Sequence, residues 1–181
     1  MKRLFVWIFF IGILAFFAYS GFYVLEKMRY PLKYKNYIMI HAETYNLQPE
    51  LVASVINVES GFDKDAVSSS GAIGLMQVLP STASEVADKI NYSSFQVEDL
   101  LIEYKNIEIG CYYLRYLLDY FDENLYNALA SYNAGLSNVN FWLGSSKYSE
   151  DGEHLTSTPY KETNDYIEKI YKNIEKYKSK F

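Results

Sequence analysis

The sequence predicts an all-α protein in which one hydrophobic N-terminal helix precedes a compact helical domain. An uncharged apolar run extends from Leu4 to Leu25. After Pro31, apolar residues recur at spacings of three and four, as on one face of a helix, with little of the alternation that marks strands. At 181 residues, the chain has room for a single domain together with an anchor.

The composition excludes several classes of function. A net charge of −5 provides no basic surface for nucleic acid, so we expect no nucleic acid partner. The single cysteine, Cys111, excludes a disulfide framework and a cysteine-based metal site. The sequence His-Ala-Glu at His41 resembles the start of a zinc deaminase motif, but no Pro-Cys-x-x-Cys follows. Phosphate-binding glycine patterns are also missing, so we expect neither a metal nor a cofactor.

The N-terminal apolar run is long enough to cross a bilayer as a helix. Lys2 and Arg3 precede it, and the positive-inside rule then leaves them in the cytoplasm. Everything after Leu25 is expected on the extracytoplasmic face. The alternative is a cleaved signal peptide and a secreted protein, because Ala18–Ser20 resembles a small-residue cleavage site. The bulky residues that follow Ser20 favour a retained, single-pass anchor in the cell membrane.

The rest of the chain divides into a linker and one domain. We predict an anchor or signal segment at 1–25, a linker at 26–32 and the helical domain at 33–181. Within the domain, helices are predicted at 32–46, 49–60, 82–90, 106–121, 125–134 and 138–143, and from 163 onward. A polar loop at 144–158 separates the last two.

Several residues are expected to begin or end these helices. Pro49 suits the first helical position, and Gly61 and Gly135 suit helix ends. Thr82 and Glu85 fit a capping box. Ser137 is a candidate N-cap for the helix that begins at residue 138.

Glu59 is the residue that most strongly suggests catalysis. It follows Val52, Val55 and Ile56 at helical offsets and therefore shares their buried face. Burial raises the pKa of a carboxyl, which lets it remain protonated near neutral pH and act as a general acid. A structural role, as a cap or as the partner of a buried lysine, is the alternative. The polar and small residues that follow, Ser60, Gly61 and Ser68, favour a ligand site.

Five short motifs cover nearly the whole domain, and they are Glu59-Ser60, Gly74-Leu75-Met76-Gln77, Asn106…Gly110…Tyr113-Leu114, Tyr132-Asn133-Ala134-Gly135 and Glu162-Thr163…Tyr166. In this order they resemble the motifs of the soluble lytic transglycosylase catalytic domain, in the goose-type lysozyme-like superfamily. Ser131 stands where the family usually has Ala, and Lys161 where Arg is common. The resemblance implies a lysozyme-like helical fold.

The resemblance also implies a role for each matching residue. Glu59 corresponds to the catalytic acid and base. Six residues correspond to positions at the substrate cleft: Ser68, Gln77, Asn106, Tyr132, Asn133 and Tyr166. Asn106 is expected to pack against the cleft or line it, Asn133 is also a candidate cap, and Tyr166 also falls on the core face of its helix. The implied partner is a peptidoglycan glycan strand.

Most glycosidases need two carboxylates, but the family resemblance implies one. Asp63 and Asp65 follow Glu59 in a turn-like stretch that is expected to face solvent. Glu59 is expected to cleave the β-1,4 bond between N-acetylmuramic acid and N-acetylglucosamine and leave a 1,6-anhydro end. A hydrolytic muramidase of the same fold and a non-catalytic glycan-binding or scaffold module are the alternatives.

Overall fold

The computed structural model describes the chain from residue 2 to residue 181, with side chains for residue 7 and residues 10–181. The described chain forms two compact units, which divide between Pro31 and Leu32. The described residues form no β-strand, and only isolated β-bridges join a few pairs of residues. The prediction of an all-α protein is therefore confirmed.

The first unit contains a single helix, α1, at Lys2–Arg29. A 20-residue segment within it, Phe10–Arg29, is long and apolar enough to cross a membrane, with a mean hydropathy of 1.3. A signal sequence near an N-terminus can meet the same criteria of length and composition. The side chains of Lys2 and Arg3, on which the predicted orientation depends, lie outside the described residues. Helix α1 continues through the first four residues of the linker that was predicted at 26–32. Residues 30–34 therefore connect α1 to the next helix.

The second unit begins with two short helices, α2 at Lys35–Thr44 and α3 at Pro49–Ser60. Pro49 occupies the first turn of α3, and Gly61 ends the helix in the left-handed conformation, both as predicted. The buried face of α3 carries Val52, Val55 and Ile56, none of which is measurably exposed. Helix α3 packs along the C-terminal helix of the chain, α8 at Lys161–Tyr177.

The fourth helix, α4 at Pro80–Lys89, begins two residues before the predicted start. Pro80 opens it, since the fixed φ of proline suits the first turn of a helix. No side chain caps its N-terminus, so the predicted capping box of Thr82 and Glu85 is wrong. A capping box forms instead between Gln96 and Asp99, at a 3₁₀ turn over Val97–Leu101.

Three helices complete the domain around the site. They are α5 at Glu103–Tyr120, α6 at Leu125–Ala134 and α7 at Leu136–Leu143. Gly135 has a φ of 90° and joins α6 directly to α7. Ser137 lies inside α7, and its predicted role as an N-cap is wrong because Gly135 takes the N-cap position. Residues 144–160 are irregular and contain one bridge, between Ser149 and Leu155.

Candidate active site

A pocket of about 560 Å³ opens beside the C-terminal end of α3. Five of the seven predicted site residues line it, and they are Glu59, Ser68, Gln77, Asn133 and Tyr166. We call it the Glu59 pocket. These residues come from four separate parts of the sequence, so the fold brings them together at one place.

Glu59 reaches the pocket because α3 ends just beyond it. Ser60 follows, and its hydroxyl donates to the backbone oxygens of Leu75 at 2.8 Å and Ile56 at 3.1 Å. The first of these hydrogen bonds joins the end of α3 to the turn at 74–77. The carboxyl of Glu59 and the turn that carries Gln77 are therefore held on the same wall of the pocket.

Burial raises the pKa of Glu59 to about 7, and the hydroxyl of Tyr166 partly opposes this rise by donating to the charged form. A carboxyl with a pKa near neutral is substantially populated in both protonation states at neutral pH. It can therefore give a proton in one step and take one in the next.

Tyr166 lies one helical turn inside α8, with its ring in the core. Its hydroxyl is fully buried, and no well-aligned hydrogen bond joins it to another described atom. Burial and the negative charge of Glu59 raise the pKa of Tyr166. This hydroxyl therefore stays protonated and remains available as a donor toward Glu59 or toward a group in the pocket.

The turn at 74–77 presents Gln77 in a fixed orientation. The side-chain nitrogen of Gln77 donates to the backbone oxygens of Gly74 at 2.9 Å and Ala66 at 3.1 Å. Its side-chain oxygen accepts no hydrogen bond from the described residues. Since Gln77 lines the pocket, this oxygen is available to accept a hydrogen bond from a ligand.

Asn106 supports this turn from behind. It is fully buried, and its side-chain oxygen accepts from the backbone N–H of Met76 at 2.8 Å. Its side-chain nitrogen donates to the backbone oxygens of Ile73 and Leu100, each at 2.9 Å. All of these groups are used within the protein, so Asn106 is not placed to contact a ligand. The structure favours the packing role over the predicted place in the cleft.

Two glycines allow the turn to lie close to α5. A Cβ atom on Gly110 would lie 2.4 Å from the sulfur and 2.8 Å from the Cβ of Met76. Gly74 has a φ of +79°, and a Cβ there would lie 2.3 Å from the side-chain nitrogen of Asn106. Such distances are far below van der Waals contact, which explains why both positions of the motifs are glycine.

Ser68 and Asn133 lie at the edges of the pocket. The hydroxyl oxygen of Ser68 accepts from the backbone N–H of Ala72 at 3.0 Å and lies 2.9 Å from that of Ser70. The side-chain oxygen of Asn133 accepts from the hydroxyl of Thr163 at 2.8 Å. Asn133 thus joins α6 to α8 as well as lining the pocket.

Tyr132 forms part of the structure behind the pocket. Its hydroxyl donates to the backbone oxygen of Met76 at 2.9 Å, and its ring packs on Tyr113 with centroids 5.4 Å apart. Burial and the charge of Glu59 raise its pKa. Tyr132 is therefore near Glu59, although it is not among the residues that line the Glu59 pocket.

Charged residues of α8 also line the pocket and were not predicted as site residues. They are Lys161, Glu162, Asp165 and Lys169. Lys161 and Asp165 form an ion pair. Glu162, Asp165 and Lys169 are separated by three and four residues, and Tyr166 lies among them. This spacing places side chains on one face of a helix, so the sequence already indicated that they lie together.

Other candidate residues lie away from the pocket. Asp63 and Asp65 are both exposed and do not line it, in agreement with the expected solvent-facing turn. His41, the histidine of the deaminase-like sequence, also lies outside the pocket and is buried against the ring of Tyr104. Within the described part of the chain, no three His, Cys, Asp or Glu side chains are grouped so as to hold a metal ion.

Comparison with known proteins identifies relatives of the domain. The family described as "Transglycosylase SLT domain" matches residues 36–155. The soluble lytic murein transglycosylase of Salmonella typhimurium is 31% identical over 144 residues, which cover 78% of this chain and 22% of that protein. The membrane-bound lytic murein transglycosylase C of Actinobacillus pleuropneumoniae is 31% identical over 159 residues, which cover 75% of this chain and 43% of that protein.

Solved structures show the same fold. The lytic transglycosylase Slt of Pseudomonas aeruginosa superimposes with a TM-score of 0.75 at 27% identity, covering 85% of this chain and 25% of that one. The 70 kDa soluble lytic transglycosylase of Escherichia coli gives a TM-score of 0.75 at 26% identity over the same shares. The chain thus spans about a quarter of the length of these proteins, and the lysozyme-like helical fold predicted for the domain is confirmed.

Proposed function

The chain belongs to the transglycosylase SLT domain family, and we propose on this basis that it is a peptidoglycan lytic transglycosylase. Its substrate is the β-1,4 bond between N-acetylmuramic acid and N-acetylglucosamine, and its product carries a 1,6-anhydromuramic acid end. The observation that carries the proposal is the position of Glu59, which is half-buried, lines a pocket and has a pKa raised to about 7.

Glu59 serves as both acid and base in this reaction. Its protonated carboxyl gives a proton to the glycosidic oxygen as the bond from that oxygen to the anomeric carbon of the muramyl unit breaks. The acetamido group of the substrate stabilises the positive charge at this carbon. The ionised Glu59 then takes the proton of the muramyl 6-hydroxyl, whose oxygen forms the new bond. No water is consumed, and the attacking hydroxyl has the high effective concentration of a tethered group.

The neighbouring residues supply neutral hydrogen bonds in this proposal. The free side-chain oxygen of Gln77 accepts from the N–H of an N-acetyl group, and the hydroxyl of Ser68 completes the same wall. The buried hydroxyl of Tyr166, which has no well-aligned partner, donates to the ionised form of Glu59. Tyr132 and Asn133 hold α6 against the turn at 74–77 and against α8.

A hydrolytic muramidase is the second candidate, because Glu162 and Asp165 line the same pocket as Glu59. Hydrolysis through a second carboxylate requires a group that activates water, and Glu162 is placed on the pocket wall without an ion-pair partner among the described residues. In the transglycosylase reaction neither acid is needed for proton transfer. The two reactions therefore differ both in product and in their dependence on Glu162.

The test uses the full-length protein, purified in detergent and incubated with purified cell wall. Mass spectrometry should find muramyl ends lighter than the hydrolysis product by one water. Glu59→Gln should lose at least about 10²-fold in turnover, as expected when a general acid–base step is removed, while it keeps its fold and its binding to wall. Glu162→Gln should still give anhydro ends.

Two results would contradict the proposal. Reducing muramyl ends that disappear in Glu162→Gln would establish the hydrolase. No cleavage at all by a folded protein that binds wall would establish a binding module.

The proposed location follows from α1. With α1 retained as a single-pass anchor, the domain acts on the extracytoplasmic face of the cell membrane. Support comes from the apolar segment Phe10–Arg29 and from the resemblance to a membrane-bound lytic transglycosylase.

A further inference from the structure

An exposed apolar surface lies near the beginning of the helical domain. Tyr37 and Ile40 of α2 and Tyr104 of α5 contribute to it, together with Leu101 and Ile102, which immediately precede α5. Each of these five side chains is between 38% and 47% exposed, and none of them lines the Glu59 pocket. We call this surface the α2–α5 face.

The residues of the α2–α5 face lie next to one another. Helices α2 and α5 pack together, and the rings of Tyr37 and Tyr104 meet edge to face with centroids 5.5 Å apart. Ile40 follows Tyr37 by about one turn, on the same side of α2. Ile102 occupies the N-cap position of α5, two residues before Tyr104. Single exposed apolar residues are normal on a protein surface, but a contiguous group of them marks a surface that a partner covers.

The chain brings this face close to the end of α1. Helix α1 ends at Arg29, and the second compact unit begins at Leu32. These three residue steps cover at most about 11 Å. The side chain of Lys35 then holds the start of α2 to the domain by donating to the backbone oxygen of Lys180 at 2.6 Å. Since Tyr37 lies in the first turn of α2, the face begins only a few residues after the apolar segment ends.

This reach matches the thickness of a headgroup layer. A bilayer has a hydrocarbon core of about 30 Å and a total thickness of about 40–45 Å, which leaves roughly 5–8 Å for the headgroups on each side. With α1 retained across the bilayer, Leu32 lies within or just outside this layer. Tyrosine is favoured there, because its ring faces the acyl chains while its hydroxyl faces water. The α2–α5 face has this composition, with two tyrosines beside aliphatic side chains.

We propose that the α2–α5 face rests in the headgroup region of the bilayer that holds α1. This inference rests on the proposed function, because it takes α1 to be the retained anchor of a membrane-bound enzyme. The contact is apolar and does not require anionic lipid. It attaches the domain to the membrane at a second place and so fixes the direction in which the Glu59 pocket opens, whereas a linker alone would let the domain rotate.

The experiment places a fluorescent label on single cysteines of the full-length protein, reconstituted in phosphatidylcholine vesicles. Cys111 is buried, and burial raises its pKa, so an introduced, exposed cysteine is labelled selectively. Ile40→Cys and Ile102→Cys report on the two parts of the face. Phe141→Cys is the matched control, since Phe141 is exposed on α7, a helix that packs on α6. Circular dichroism checks that each variant is folded.

Quenching by lipid is the readout. Phosphatidylcholine that carries a nitroxide near the headgroup end of an acyl chain quenches a label only at short range. Helices at a membrane interface bury their apolar faces about 5–10 Å into it, so the labels at residues 40 and 102 should lose at least about half of their emission. The label at residue 141 should keep most of its emission.

The remaining outcomes overturn the inference. Equal quenching at all three positions, or no quenching at residues 40 and 102, would show that the α2–α5 face is not a lipid contact. Labels there that are shielded from aqueous iodide but not quenched by the nitroxide would show that protein covers the face instead. Protein that an alkaline wash removes from the vesicles would refute the anchor and this inference with it.

These measurements are independent of cleavage. Quenching confined to residues 40 and 102 would sustain the α2–α5 face even if the products from cell wall refuted the proposed reaction. Anhydro ends from a protein without such quenching would sustain the reaction and refute the face.

Discussion

At the scale of single residues, the protonation of Glu59 depends on two opposing influences. Burial raises its pKa to about 7, while the hydroxyl of Tyr166 lowers it by favouring the charged form. The free enzyme needs Glu59 protonated for the first proton transfer. We therefore expect kcat/KM to fall as the pH rises through the pKa of Glu59.

Tyr166→Phe should move that fall in activity to higher pH. Without the hydroxyl, the charged form of Glu59 loses a donor, its pKa rises further, and the acid form persists to a higher pH. The loss of kcat/KM at the optimum should be smaller than the roughly 10²-fold loss of an acid–base step. The measurement is the pH profile of kcat/KM on solubilised glycan.

Tyr171→Phe is the control for this profile, because Tyr171 is exposed on the same helix and outside the pocket. An unshifted falling limb in Tyr166→Phe, with the fold intact, would show that the hydroxyl of Tyr166 does not act on Glu59.

The sequence predicted the positions of some of these side chains but not the contacts of others. Glu59 could be predicted because helical spacing alone places it on the face of Val52, Val55 and Ile56. The role of Asn106 could not, because its hydrogen-bond partners at 73, 76 and 100 are fixed by the packing of a loop on a helix. Helical spacing groups Glu162 and Lys169 with Tyr166, but only the tertiary structure shows that this face borders the pocket.

At the scale of elements, the close contact between α5 and the turn at 74–77 determines the geometry of the site. The backbone at Gly110 lies against Met76, which in turn accepts the hydrogen bond of Tyr132. A change at Gly110 should therefore reach the Glu59 pocket through the turn, although Gly110 does not line it.

Gly110→Ala should destabilise the domain and lower activity together. The new Cβ would lie 2.4 Å from the sulfur and 2.8 Å from the Cβ of Met76. The sulfur can move, but the Cβ of Met76 moves only with its backbone, so the turn must shift. Overpacking of this kind typically costs about 1–3 kcal/mol. Thermal unfolding and turnover on cell wall measure the two effects.

Gly144→Ala is the matched control, since its new Cβ would meet only the backbone oxygen of Phe141, at an ordinary 3.5 Å. If Gly110→Ala lowered stability but left turnover per folded molecule unchanged, the proposed link between α5 and the catalytic geometry would be wrong.

The errors in the predicted starts of α4 and α7 have one physical origin. At α4, Pro80 begins the helix before Thr82 and Glu85 can form a capping box. At α7, Gly135 takes the N-cap position with a φ of 90° and leaves Ser137 inside the helix. In both cases a residue with restricted or unusual φ determines the boundary more strongly than a side-chain hydrogen bond does.

At the scale of the whole molecule, the proposed anchor limits where the domain can act. Helix α1 extends to Arg29 and α2 begins at Lys35, so only residues 30–34 connect these two helices. Five residues reach at most about 17 Å when fully extended, less than the linker predicted at 26–32 would have allowed. A retained anchor would therefore confine the enzyme to glycan strands close to the membrane.

The final prediction is that the full-length protein remains in the membrane with its N-terminal segment intact. Cells that produce a C-terminally tagged chain are fractionated, the membranes are washed with high salt and alkali, and the N-terminus of the tagged protein is sequenced. A transmembrane helix resists both washes because its apolar surface stays in hydrocarbon, and the sequence should begin at or near Met1. The matched control is Ser20→Ala, which completes an Ala-x-Ala cleavage site at 18–20. This variant should release tagged protein into the soluble fraction outside the cytoplasmic membrane. Wild-type protein that is found there and begins near Gly21 would refute the tether, while the assignment of Glu59 would still depend on the products of the reaction.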